Sequence, residues 1–224
     1  MKSTQNILAP STNPNRYYEF KREEILPFVP KNVTRVLDVG CGSGVFGEIL
    51  KAERDAEVWG VEISQSNAEK AMERLDKILI GDIENGTISL PKKHFDCIIF
   101  NDVLEHLKSP WNVLEALREN LRDGGYIVAS IPNVRYYKNI KNLLFKKDWK
   151  YVDEGILDRT HLRFFTLKTI PELFLSTGYD VLSITGINAS VFSRKLRLFN
   201  WMCFNHIDDM RFLQFVCVAQ NKGK

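Results

Sequence analysis

The chain has 224 residues, 44% of them hydrophobic and 26% charged, with 31 Lys and Arg against 28 Asp and Glu for a net charge of +3. These proportions are those of an ordinary folded domain, and so small a positive excess gives little support to nucleic-acid binding. No apolar run reaches the ~18 residues of a membrane span, the polar stretch Met1–Asn15 does not read as a signal peptide, and Cys41, Cys97, Cys203 and Cys217 form no C-x-x-C pair, so a cytoplasmic protein without a disulfide framework or a metal site is expected.

In chain order, residues 1–15 read as a mobile N-terminus and residues 16–224 as a single domain. From Arg16 to Phe28, Tyr17, Phe20, Ile25 and Phe28 recur at helical spacing while Lys21, Arg22, Glu23 and Glu24 face water, and Pro30 ends the pattern. Strands and helices then alternate: strand 35–40, helix 45–53, strand 57–63, helix 65–75, strand 78–82, strand 95–101, helix 110–121 and strand 125–131. Ser64 is the expected cap of the second of these helices, Pro110 the first residue of the last one behind Ser109, and Asp123-Gly124-Gly125 the turn into the next strand. Such alternation calls for right-handed βαβ units and a parallel sheet. Two stretches break it, at about 133–168 and 191–209, both rich in aromatic and basic residues. Between and after them come a helix at 169–176 and strands at 179–187 and 212–220.

The first predicted strand, Val36-Leu37-Asp38-Val39, ends in Gly40-Cys41-Gly42-Ser43-Gly44 and opens a helix. Glycine there lets a ligand approach bare backbone, and the helix start presents unpaired N–H groups and a positive dipole end. A dinucleotide fingerprint needs a third glycine where Val45 stands, which disfavours a nicotinamide oxidoreductase. The second strand ends in Glu62 about twenty residues on, and a carboxylate in that position suits a ribose diol. The third ends in Gly81-Asp82-Ile83 and the fourth in Asn101-Asp102-Val103-Leu104-Glu105-His106.

The pattern of Asp38, Gly40, Gly42 and Gly44, followed by these strand ends in this order, resembles the class I S-adenosylmethionine-dependent methyltransferases over about the first 130 residues. The resemblance implies a Rossmann-like α/β fold: a seven-stranded, mostly parallel sheet in the order 3-2-1-4-5-7-6, its last strand antiparallel, with helices on both faces. It implies S-adenosyl-L-methionine as cofactor, held by Asp38, Gly40, Cys41, Gly42, Gly44, Glu62, Ile63 and Asn101, with Asp82 at the adenine amino group and Ile83 on its ring. In similar enzymes the N-terminal helix closes over the cofactor, a task open here to Arg16 or Tyr18 or, on the other reading, replaced by simple packing on the sheet. The segment Asp158-Arg159-Thr160-His161-Leu162-Arg163-Phe164-Phe165-Thr166, downstream of Ser130-Ile131-Pro132-Asn133, is similar to methyltransferases found with bacterial surface-polysaccharide and glycan biosynthesis.

Methyl transfer from a sulfonium needs alignment and exclusion of water, and a hydroxyl acceptor also needs a base that titrates near neutrality. His106, after strand four, and His161, in the first insertion, are the candidates, with Asp102 as a carboxylate alternative. Each histidine also has a plain structural reading, His106 bonding backbone at a helix start and His161 anchoring the insertion through Asp158. The lysines around Lys146, Lys147 and Lys150 read as a solvated face, or as a site for a phosphate or a membrane surface. The expected activity is methyl transfer to a small-molecule or saccharide-type acceptor, most simply at oxygen. The alternatives are N- or C-methylation of another metabolite, or a cofactor-binding protein without turnover.

Overall fold

The computed structural model describes residues 21–223. Its centre is a seven-stranded sheet in the order β3-β2-β1-β4-β5-β7-β6. The strands are β1 (Arg35–Val39), β2 (Glu57–Glu62), β3 (Lys77–Ile80), β4 (Phe95–Asn101), β5 (Leu121–Pro132), β6 (Tyr179–Ala189) and β7 (Phe212–Asn221). The first five pair in parallel, whereas β7 runs antiparallel to both β5 and β6. The helices are α1 (Val45–Arg54), α2 (Gln65–Ala71), α3 (Pro110–Leu117), α4 (Tyr137–Lys141), α5 (Thr169–Ser176) and α6 (Arg194–Met202). This is the order that the resemblance implies.

The strands are apolar without alternation because both faces of the sheet are covered. Period-two geometry sends Leu37, Val39, Ile98 and Phe100 to one core, with Leu114 and Phe174 from the helices. It sends Val36, Cys97 and Ile99 to the other, with Ile25, Leu50 and Val216. Each such side chain, fully buried, contributes ~1.5–3 kcal/mol. With both faces closed by apolar packing, a ligand of this sheet is left the carboxyl ends of the strands.

Four local expectations are altered. The helix expected over Arg16–Phe28 lies partly outside the described residues, and its described part is a 3-10 turn, Glu23–Phe28, that contains Pro27 and follows Arg22 in a left-handed conformation. Proline supplies no N–H and disfavours α geometry in the residue before it. Ser64 precedes α2, but its side chain bonds Ser66 at 3.2 Å and makes no cap bond to the helix. The glycines at 124 and 125 lie inside β5, next to a register shift in its pairing with β4, and the Gly124 carbonyl accepts from Gln220 Nε2 at 2.8 Å. Pro110 does open α3 behind Ser109, but α2 and α3 end at Ala71 and Leu117, about a turn sooner than the sequence pattern suggests.

The stretch 133–168 holds α4, which continues as a π turn over Asn142–Lys146, and then docks on the domain. Asn133 bridges Phe165, and Val134 N donates to the Phe165 carbonyl at 3.0 Å. Lys138, Lys141, Lys146, Lys147 and Lys150 are all exposed. The stretch 191–209 holds α6, which leaves Leu198, Phe199, Trp201 and Met202 exposed. Among the described residues, no helix is long and apolar enough to cross a membrane.

Candidate active site

A cleft of about 820 Å³ opens at the carboxyl ends of β1, β2 and β4. This is the switch point of strand order, where open α/β sheets take their ligands. Its floor is the turn between β1 and α1. Gly40 (φ 70°), Gly42 (φ 55°) and Gly44 (φ 80°) all take left-handed backbone, which favours glycine. Gly40 N and Cys41 N donate to the Val61 carbonyl at 2.8 and 3.2 Å, so β2 holds the turn from one side. A Cβ on Gly40 would come within 2.6 Å of Val103, so the turn is also packed against the chain leaving β4.

Glu62, 5% exposed, ties the turn from its side chain as well. One carboxylate oxygen accepts from Gly42 N and the other from Ser64 N, both at 2.8 Å. Each oxygen keeps a second acceptor position for a ligand hydroxyl. Asp38 stands beneath, 2% exposed, and its Oδ1 has no hydrogen-bond partner among the described residues. Burial, and after it the nearby Glu62 charge, pushes its carboxyl up to about 7. Asn101 also lines this cleft, and its buried Oδ1 has no hydrogen-bond partner among the described residues. Acceptors without donors around a glycine floor suit a ligand with several hydroxyl or amino groups.

Of the residues expected to hold the cofactor, Asp38, Gly40, Cys41, Gly42, Glu62, Ile63 and Asn101 line this one cleft. Gly44, Asp82 and Ile83 do not. A Cβ on Gly44 would meet Ala71 of α2 at 3.1 Å, so that glycine lets two helices approach. Asp82 accepts from Glu84 N at 2.8 Å and caps the turn Ile83–Asn85. Tyr18 lies outside the described residues, as does Arg16.

The three catalytic candidates differ in their surroundings. Asp102 has φ 55°, and its carboxylate accepts from the Arg22 guanidinium, from Ser130 Oγ at 3.0 Å and from Gln214 Nε2 at 2.8 Å. Arg22 Nη2 also donates to Ser130 Oγ at 2.8 Å. These donors occupy both carboxylate oxygens. His106 lines the cleft, with its Nδ1 3.0 Å from Thr160 Oγ1 and 3.3 Å from the Thr160 carbonyl. Because Thr160 Oγ1 donates to Asp158 Oδ1 at 2.7 Å, both neighbours of that nitrogen are acceptors, so Nδ1 carries the proton and Nε2 the lone pair. Burial first, then His161, holds the His106 imidazole below its usual range, and Asp158 opposes this. His161 is buried, with its ring Nδ1 donating to the Ile156 carbonyl at 2.9 Å and its backbone N–H to the Asp158 carbonyl at 3.0 Å. The two imidazoles stand edge to face, 4.6 Å between centroids.

Three features escaped the sequence pattern. Arg22 belongs to the cleft although its neighbours suggested a water-facing position. Asp153, Glu154 and Thr160 of the first insertion join Asp158 and Arg159 in a polar wall of it. Glu105, 1% exposed, sits behind the histidines, and its carbonyl accepts from Leu162 N at 2.8 Å and Arg163 N at 3.0 Å. A charge inside the run Val103-Leu104-Glu105-His106-Leu107 was the one available signal. One ligand atom each from Glu105, His106 and His161 lies within 4.8 Å of the others, a grouping able to hold a metal ion.

A family model described as "Methyltransferase domain" matches residues 14–184. The chain is 28% identical over 185 residues to a ubiquinone biosynthesis O-methyltransferase of Vibrio cholerae, covering 77% of this chain and 72% of the relative. It is 29% identical over 175 residues to one from Cereibacter sphaeroides, covering 75% and 69%. A SAM-dependent methyltransferase from Archaeoglobus fulgidus superposes with a TM-score of 0.65 at 21% identity, covering 92% of this chain and 94% of that one. With the glycine turn, the sheet order and the strand-end cleft, the match identifies this chain as a member of the methyltransferase-domain family and an S-adenosylmethionine-dependent methyltransferase.

Proposed function

We propose that the chain methylates a hydroxyl oxygen of a small, saccharide-type acceptor. The observation that carries this reading is that one cleft is lined by the glycine turn, Glu62, His106 and the polar wall from Asp153 to Thr160. The fit to the cofactor rests on the unpartnered acceptors of Asp38 and Asn101 and on the free acceptor positions of Glu62. In this reading Glu62 accepts from the ribose diol, while the turn Gly40–Gly42 and Asp38 hold the methionine part. Ile63, 69% exposed, covers the adenine ring, with Asp82 and Ile83 behind it. The cofactor supplies an electrophilic methyl group on a positive sulfur, and the protein aligns the acceptor and excludes water.

A sugar hydroxyl is a weak nucleophile and must lose its proton as the methyl arrives. His106 is the residue for this: a cleft-lining imidazole with its proton fixed on Nδ1 and a lone pair on Nε2. Asp102 positions Arg22 at the cleft and is not the base. The O-methyltransferase names of the relatives favour oxygen over nitrogen or carbon. The charged and hydroxyl groups of the wall favour a polyhydroxylated acceptor. Arg159 and the neighbouring carboxylates offer it both donors and acceptors.

The test is release of the demethylated cofactor with panels of saccharide, phenolic and amine acceptors. Turnover with hydroxylated acceptors alone is expected. Turnover confined to amines would overturn the reading. His106→Ala is expected to lower turnover on the true acceptor by about 10²–10⁴ with cofactor affinity unchanged.

A further inference from the structure

We propose that Glu105, His106 and His161 bind one divalent cation of the borderline transition-metal class, such as Zn²⁺ or Co²⁺, beside the cleft. The proposal starts from Glu105. Its carboxylate is 1% exposed, and neither oxygen has a hydrogen-bond partner among the described residues. A bare carboxylate buried in this way is costly. His161 Nε2 stands 3.9 Å from Oε1, too far for a hydrogen bond, so that histidine does not satisfy the carboxylate.

The imidazoles are prepared for coordination. A metal-bound histidine almost always donates its other N–H to a carbonyl, carboxylate or water, which fixes the tautomer. His161 does this through Nδ1 to the Ile156 carbonyl. His106 does it through Nδ1 to Thr160, which is itself held by Asp158. Both rings therefore keep the lone pair on Nε2. Ligand atoms on a zinc ion at ~2.0–2.1 Å lie about 3.4 Å apart. The present spread of up to 4.8 Å closes with a shift of about 1 Å, and no hydrogen bond restrains the Glu105 oxygens against it.

Two histidines and one glutamate leave a fourth position open, as in catalytic zinc sites. Because His106 lines the cleft, that position is open to a water or to the acceptor oxygen. This use of the cation rests on the hydroxyl-acceptor reading, whereas its binding does not. In the loaded protein the cation takes the His106 lone pair, so proton uptake by His106 belongs to the metal-free chain and the cation replaces it. The acceptor oxygen then donates a lone pair to the metal, and its proton leaves to water.

The binding test uses the full chain, stripped with a chelator and titrated with CoCl₂ without cofactor or acceptor. One equivalent of Co²⁺ with visible d–d absorption, displaced by ZnCl₂, is expected. Glu105→Gln and His161→Gln should abolish the absorption. Thr160→Val, which removes the hydroxyl between His106 and Asp158 and leaves the Thr160 carbonyl in place, should weaken binding by about 10–100-fold. Circular dichroism checks each variant for folding, and Thr160→Val carries the decision if the buried substitutions unfold the chain. Absence of absorption in the wild-type chain, or Thr160→Val and the folded ligand variants that bind as it does, would overturn the site. Because this readout involves no methyl transfer, its failure leaves the acceptor assay standing, and failure of the acceptor assay leaves the cation standing.

Discussion

Asp38 and Glu62 put two buried acids below one glycine turn, and their costs are of different kinds. Glu62 bonds Gly42 N and Ser64 N, so it holds the turn as well as lining the cleft. Glu62→Ala should therefore lose ~2–4 kcal/mol of cofactor affinity by calorimetry. It should also lower the stability of the cofactor-free chain, since two amides lose their acceptor. Affinity unchanged in a folded variant would place the ribose elsewhere. Asp38 has its carboxyl raised from 3.8 to about 7, chiefly by burial. A raised acid binds its proton more tightly in the folded chain than in the unfolded one. This group's contribution to stability therefore falls as pH rises from about 4 to about 7, and is level above that. Asp38→Asn should remove that loss and stabilise the cofactor-free chain at pH 8 by ~1–3 kcal/mol, read from melts at pH 5 and pH 8. An equal melting shift at both pH values would show that desolvation of Asp38 is not the cause.

At the scale of elements, the turn from β1 to α1 carries three glycines with separate duties. Gly42 has φ 55° and donates its N–H to Glu62, so Gly42→Val should abolish cofactor binding while circular dichroism retains most of the secondary structure. Gly44 lies against Ala71, and Gly44→Ala combines a left-handed φ with crowding between α1 and α2. It should cost ~1–3 kcal/mol in urea titration, where Gly42→Val costs mainly affinity. The alternation of strands and helices and the glycine spacing are local patterns, which is why they could be read before any coordinates. Over Glu23–Phe28 the apolar spacing predicts an α-helix, and Pro27, which has no N–H to donate, makes it a 3-10 segment.

For the whole molecule, stability resides in the two cores that flank the sheet, while the insertions carry exposed apolar groups. Phe100 is fully buried near the carboxyl end of β4, and Phe145, in the first insertion, is 81% exposed. Phe100→Ala should cost ~3–5 kcal/mol, whereas Phe145→Ser should stay within about 0.5 kcal/mol, both by urea unfolding. Comparable losses would mean that the insertion is part of the cooperative core. The first insertion meets the domain at Glu105, whose carbonyl receives the amides of Leu162 and Arg163. That junction also brings His161 beside His106.

The sequence by itself determined the class of fold and, through its resemblance to the class I S-adenosylmethionine-dependent methyltransferases, the cofactor. Each of these follows from short-range order: apolar runs buried on both faces, a glycine turn, and acids at successive strand ends. The tertiary structure alone decided that Arg22 and Asp102 pair across the chain, that the carboxylate of Asp102 is already occupied, and that Glu105, His106 and His161 form one cluster. Those contacts join segments far apart in sequence, and no periodicity records them. Whether a buried acid finds a donor depends on what the rest of the chain packs against it, and for Glu105 the packing supplies two imidazoles and no hydrogen bond.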